Sequence, residues 1–239
     1  MWCGRCGVAR HAYALLCMLF ASACSYYWDT YWVIMGLLRS EMYQTAMGVA
    51  LNLVHMLDLF GFVPNGGRVY YALPGRSQPP LLSAMVREIY EATGNITFLA
   101  QVYPSLQTEH AWWMKQGDYG HAVVIEDSNG SMHVLNRYVT DQHTARPESF
   151  YEDEHTVTEA GYTPSSAAAK LLFSEIAAGA ETGWDFSSRW FADGKSITEC
   201  ITSFVVPADL NAFLYDMEVN LAYFASALNA YASVTCGAA

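Results

Sequence analysis

A mainly α-helical domain carrying one short β-hairpin is the fold class that the sequence predicts, on three observations. Apolar residues recur at three- and four-residue steps along most of the chain, and Pro and Gly punctuate the ends of those runs. One stretch alone, "HAVVIEDSNGSMHVLNRY", sets two β-branched or apolar runs around a Ser-Asn-Gly turn, the pattern of a hairpin insertion. The 239 residues are 53% apolar, 14% aromatic and 15% charged, the balance of a dense globular protein, which excludes a disordered or fibrous one. Length alone allows one large domain or two small ones. Because no low-complexity tract or charge block marks a linker, a single domain is expected.

The elements follow in chain order. Residues 1–24 hold four of the six cysteines, Cys3, Cys6, Cys17 and Cys24. Their spacing is irregular and the second pair sits in an apolar run, which argues against zinc. "RHAYALLCMLFASAC" has basic residues ahead of a short apolar segment ending in small residues, so it reads either as a secretory signal or as an aberrant amino terminus. The domain proper is placed at residues 25–239. "SEMYQTAMGVALNLVHMLDLFG" predicts a helix with Met42, Ala46, Val49, Ala50, Leu53, Val54 and Leu57 on its buried stripe, Ser40 as its cap and Gly61 as its stop. "PPLLSAMVREIYEATG" predicts a second helix opening at Pro79-Pro80, and "PSLQTEHAWWMKQG" a third running from Pro104 to Gly117. After the hairpin, residues 165–180 and 209–233 predict two more, the last holding its stripe for over six turns. "YYWDTYW", "GFVPNGGRVYYALPGRSQPP", "TARPESFYED" and "TGWDFSSRW" are read as the loops between them.

Net charge is −11, with 23 acidic against 12 basic residues. That balance disfavours nucleic acid and anionic bilayers as partners and suits a neutral or cationic small ligand. No spacing implies an organic, redox or metal cofactor. Asn95-Ile96-Thr97 and Asn129-Gly130-Ser131 are glycosylation acceptors if the chain enters a secretory pathway.

The loops carry the chemistry. Each mixes aromatic rings with Arg, Asp, Glu, Asn or Gln, which is what a sugar pocket requires: flat plates for C–H faces and bidentate partners for hydroxyl edges. Trp28 with Asp29 gives a plate and an acceptor; Arg76, Ser77 and Gln78 give donors before a helix start; Arg146 with Glu148 gives a donor and an acceptor. Taken one at a time, Trp28 also reads as a core ring, Arg76 as a solvated cation and Arg146–Glu148 as a surface pair worth under about 1 kcal/mol. Asp185, set between Trp184 and Phe186, reads either as a catalytic acid in a partly dehydrated pocket or as the N-cap of a short helix.

In order and spacing, the blocks "YYWDTYW", "PNGGRVYY", "RSQPP", "RPESFYED", "AAGAETGWDFSSRW" and "VPADLNAFLY" resemble the trehalases, which hydrolyse α,α-trehalose to two glucose molecules. The resemblance covers the chain from about Ser25 onward. It implies an all-α fold, part of an (α/α) toroid of helical hairpins around a pocket of loops at one end. Matched position by position, it implies that Asp185 is the general acid of an inverting hydrolysis and that Trp28, Asp29, Asn65, Arg76, Ser77, Gln78, Arg146, Glu148 and Gly183 contact the sugar. It further implies no cofactor and a secreted or extracellular-facing location.

The sequence departs from the family pattern in two places. No counterpart of the family's basic Glu, which lies on a later block, is found here, and "LLCMLFASACS" stands where the family has a Gly-Gly-Arg-Phe stretch that supplies a sugar-binding arginine. Because acid–base assistance is typically worth roughly 10²- to 10⁴-fold per group, these residues alone are expected to bind trehalose better than they hydrolyse it. A non-catalytic trehalose-binding fragment and an all-α glycosidase acting on another glucoside are the alternatives.

Overall fold

The computed structural model describes residues 26–72 and 76–236. The signal-like segment and its four cysteines lie outside the described residues. Eight α-helices and one two-stranded sheet are present among those described. They are α1 (Asp29–Arg39), α2 (Tyr43–Phe60), a single turn α3 (Val69–Ala72), α4 (Leu82–Thr93), α5 (Ile96–Trp113), β1 (Ala122–Glu126), β2 (Met132–Asn136), α6 (Phe150–Glu159), α7 (Ala167–Glu181) and α8 (Ala208–Cys236).

The predicted stripe of α2 is buried at Ala46, Ala50, Leu53, Val54 and Leu57, and Val49 is half-buried; Met42 is not part of it, because it precedes the first turn as the cap residue and is exposed. The helix ends at Gly61 and α4 ends at Gly94, both in left-handed backbone (φ 80° and 61°), the conformation a helix stop needs and glycine adopts without a Cβ clash. Ser40 does not cap α2; Met42 holds that position without a side-chain bond, and Ser40 closes α1 instead. Pro79 and Pro80 precede the first turn of α4, which opens after Leu81. Pro104 is not a helix start but lies inside α5, which begins at Ile96 under the cap of Asn95, whose Oδ1 accepts from Phe98 N at 3.0 Å. The lost N–H is tolerated because Leu99, Val102 and Leu106 around it are fully buried.

Two helices stand where the sequence reads as loop. "DTYWVIMGLLR" is α1, whose apolar residues circle the helix with only Thr30 and Ile34 buried, so no stripe announces it. "FYEDEHTVTE" is α6, too polar to show one, with Val157 as its buried apolar anchor. The hairpin forms as predicted, β1 antiparallel to β2 with Val124 opposite Val134. Along α8, Tyr215, Val219 and Tyr223 are exposed at four-residue spacing.

Packing explains why the loops gather. Helix α1 packs on α2 and α4, α2 on α4 and α5, α4 and α5 on α8, and α6 on α7. Short connections join α1 to α2, α4 to α5 and α6 to α7, so those pairs run as hairpins. The long connections, residues 61–81, 114–149 and 182–207, together with the entry to α1, therefore meet at the opposite end.

Candidate functional site

Hydrogen bonds between these long connections build a continuous wall. Tyr27 N donates to Asn65 O at 3.0 Å and Asn65 N to Arg76 O at 2.8 Å, so the entry to α1 and both limbs of the 61–81 connection run side by side. Asn65, 4% exposed, spends its amide on Ser77 O (2.9 Å) and Ala180 O (3.3 Å), which ties that connection to α7. Gln78 turns inward and its Oε1 accepts from Trp28 N at 3.1 Å. Ser77 Oγ donates to Val63 O at 2.6 Å.

Trp28 is half-buried, and its ring lies against Gly183. A Cβ there would come 2.8 Å from the indole, and the backbone φ is +68°, so glycine is required on both counts. The Trp28 ring also stands 6.0 Å from that of Trp184 and 5.4 Å from that of Trp32, while Trp184 and Trp32 are themselves about half exposed. Asp29 opens α1 next to this aromatic cluster and is exposed.

Arg76 is not a solvated cation. Only 2% exposed, it pairs through Nη2 with Glu148 and stacks over Tyr71 at 4.9 Å, while its Nε and Nη1 are buried without a partner. Arg146 does not pair with Glu148 as the sequence suggested. Its backbone N, Nε and Nη2 all reach the Asp153 carboxylate, at 2.9, 2.9 and 2.7 Å, and its guanidinium stacks over Phe186 at 5.2 Å. Asp153 is thus a site residue the sequence reading missed; the signal was there, seven residues on in "RPESFYED", one turn into α6.

Asp185 caps no helix, because the short turn after it, Ser188–Trp190, is capped by Ser187 accepting from Arg189 N. Although the residue is exposed overall, protein packed around its carboxyl partly dehydrates it and raises its pKa. Its own backbone N–H and the charges of Arg146 and Arg76 oppose that rise, and Glu148 adds to it. The loop bearing it is fixed through Trp184, whose carbonyl accepts from Ser187 N at 2.6 Å and from Trp190 Nε1 at 3.3 Å. Arg189 lies over both Trp184 and Trp190 and pairs with Asp209 at 2.7 Å.

Nine of the ten positions singled out by sequence thereby join through direct contacts or through the charges felt at Asp185, and Asp29 joins only by adjacency to Trp28. Glu181 and His121, both buried, were missed because a Glu closing an alanine-rich helix gives no sequence signal of its partners. Among the described residues no group of three or more His, Cys, Asp or Glu side chains is placed to hold a metal, and no helix is long and apolar enough to cross a membrane. A cleft of about 400 Å³ bounded by α1, α4 and α8 lies elsewhere. Its polar groups answer one another: Arg87 engages Glu91 and Asn220, and Tyr31 reaches Glu88.

A family model described as trehalase matches residues 23–236. The chain is 47% identical over 200 residues to a probable trehalase of Oryza sativa subsp. japonica, covering 84% of this chain and 34% of that protein. To the trehalase of Dictyostelium discoideum it is 44% identical over 203 residues, covering 83% and 33%. The fold matches that of the neutral trehalase Nth1 from Saccharomyces cerevisiae, an (α/α) toroid, with a TM-score of 0.65 at 22% identity over 84% of this chain and 37% of that one. The chain spans about a third of the length of the curated relatives it matches.

Proposed function

The chain belongs to the trehalase family, and from that premise we propose that its four loop segments bind α,α-trehalose and that Asp185 is the general acid of an inverting hydrolysis to two glucose molecules. One observation carries the reading. Arg76 is a nearly inaccessible guanidinium with two idle N–H groups, and an unsatisfied buried donor costs about 1–3 kcal/mol. Paired sugar hydroxyls are acceptors that remove that cost. Trp28 and Trp184, whose rings stand 6.0 Å apart, offer plates, and Asp29, Asn65, Ser77, Gln78, Arg146, Glu148 and the close-packed Gly183 complete the assigned contacts.

Asp185 suits its role because dehydration raises its pKa, so the carboxyl keeps a proton further toward neutrality and can deliver it to the glycosidic oxygen. Inversion then needs a second carboxylate roughly 6.5–9.5 Å away to activate water. Glu148, whose charge is felt at Asp185, is engaged by Arg76, and we assign it to sugar hydroxyls, not to water. That engagement favours a second reading for these 239 residues alone, trehalose binding without turnover. A secreted or extracellular-facing location belongs to the same proposal, supported by the signal-like segment before residue 25.

Titration calorimetry and glucose release on the purified chain test both readings. Trehalose is expected to give binding heat that maltose does not match, and Asp185→Asn is expected to keep that heat while lowering any glucose release by about 10²- to 10⁴-fold. Binding without release selects the second reading; absence of trehalose heat overturns the pocket.

A further inference from the structure

Glu181, the last residue of α7, is completely buried. A carboxylate in that setting is costly unless each oxygen is hydrogen-bonded, and here both are. Oε1 accepts from Ser77 N at 2.9 Å and Oε2 from Val139 N at 3.2 Å. His121 Nε2 stands 3.2 and 3.0 Å from the two oxygens. Since an ionised carboxylate only accepts, the tautomer that satisfies this pair carries its proton on Nε2. The imidazole itself packs against the rings of Trp112 and Trp113, at 4.3 and 4.5 Å.

The places these bonds reach are what matter. Ser77 lies between Arg76 and Gln78. Val139 and His121 belong to the 114–149 connection that also presents Arg146 and Glu148. Glu181 itself stands four residues ahead of Asp185. One carboxylate therefore joins the donor segment, the second connection and the segment bearing the acid. We infer that Glu181 is a positioning residue, which holds the Arg76–Gln78 segment in register with the Asp185 and Arg146 segments so that the sugar-binding groups are organised before the ligand arrives. This rests on the trehalose-pocket reading above.

The charge, and not only the shape, is required. A glutamine in the same rotamer keeps one acceptor oxygen but turns an NH₂ toward either Ser77 N–H or Val139 N–H, donor against donor. Glu181→Gln is accordingly expected to weaken trehalose binding at least tenfold in calorimetry while the binding stoichiometry stays near that of the parent chain. A merely structural role predicts the reverse, a stoichiometry that falls with the folded fraction and an unchanged affinity in what remains, and that result overturns the inference. Amide hydrogen exchange decides the matter independently of sugar, so a parent chain that binds no trehalose sinks the pocket reading without silencing this test. Exchange in Glu181→Gln should quicken at residues 76–78 and 138–140 and stay unchanged in α2; uniform quickening along the chain counts against positioning. Should that variant not fold, Glu181→Asp keeps the charge but draws the carboxylate back by one methylene from Ser77 N and Val139 N, and unaltered exchange at Ser77 and Val139 would then overturn the proposal.

Discussion

Glu109 sits wholly inside the protein, with Oε1 accepting from Tyr27 OH at 2.5 Å and Oε2 lacking a partner. Desolvation pushes its pKa up to about 7, against the lowering effect of the Tyr27 bond. The unfolded value is about 4.3. Folded protein therefore binds this proton more tightly than unfolded protein, and stability falls as pH rises from about 4.3 through 7, by about 4 kcal/mol if the whole shift is expressed. Glu109→Gln cannot titrate and keeps an oxygen for Tyr27, so its stability relative to the parent should climb across that window; parallel pH profiles for the two chains would show that Glu109 is not the source. Residues of this kind mark the limit of what sequence discloses. Arg76, Trp28 and Asp185 could be singled out as candidates because their residue types cluster in loops, whereas their partners depend on which loops fold together. Arg146 thus found Asp153 in place of Glu148, and Glu148 went to Arg76.

Helix caps separate what the chain suggests from what packing selects. Asn95 was notable in the sequence only as a glycosylation acceptor, yet its Oδ1 caps α5 and its amide lies 3.6 Å from Met47 Sδ. Ser40, the expected cap of α2, bonds no helix start. Asn95→Ala should cost about 1 kcal/mol in chemical denaturation, and Ser40→Ala under about 0.5 kcal/mol. Equal losses for the two would contradict the cap assignment. The same contrast explains which elements were legible: α2, α4, α7 and α8 carry stripes or stops that report their own helical state. For α1 and α6 the helical state comes from tertiary contacts with α2, α4 and α7 that local sequence does not encode. Pro104 misled because its cost is local, while the burial that outweighs it lies on both sides along α5.

Two apolar clusters make up the core of the described residues. One joins α1, α2, α4 and the amino-terminal part of α5; the other joins α6, α7, Trp190 and Trp113. They are not separable units, because α5 and α8 pass through both. Phe98, Leu99, Val102 and Leu106 of α5 serve the first and Trp113 the second, while α8 gives Leu210, Leu214 and Met217 to the second and Phe224 to the first. Leu221 touches both. Melting either cluster alone would break two helices that pack on each other over their length, so the described core should unfold in one cooperative step despite exceeding the size at which intermediates become common. Denaturation followed by indole fluorescence, with Trp113 and Trp190 both in the second cluster, should superimpose on the helical circular-dichroism signal. Met217→Ala, at a fully buried position, should lower both midpoints together at a cost of about 2–5 kcal/mol. Midpoints that separate in the variant would mean that α5 and α8 do not couple the clusters. The proposed pocket would then stand on two independently melting halves, since the Arg76 segment borders the first cluster and the Asp185 segment the second.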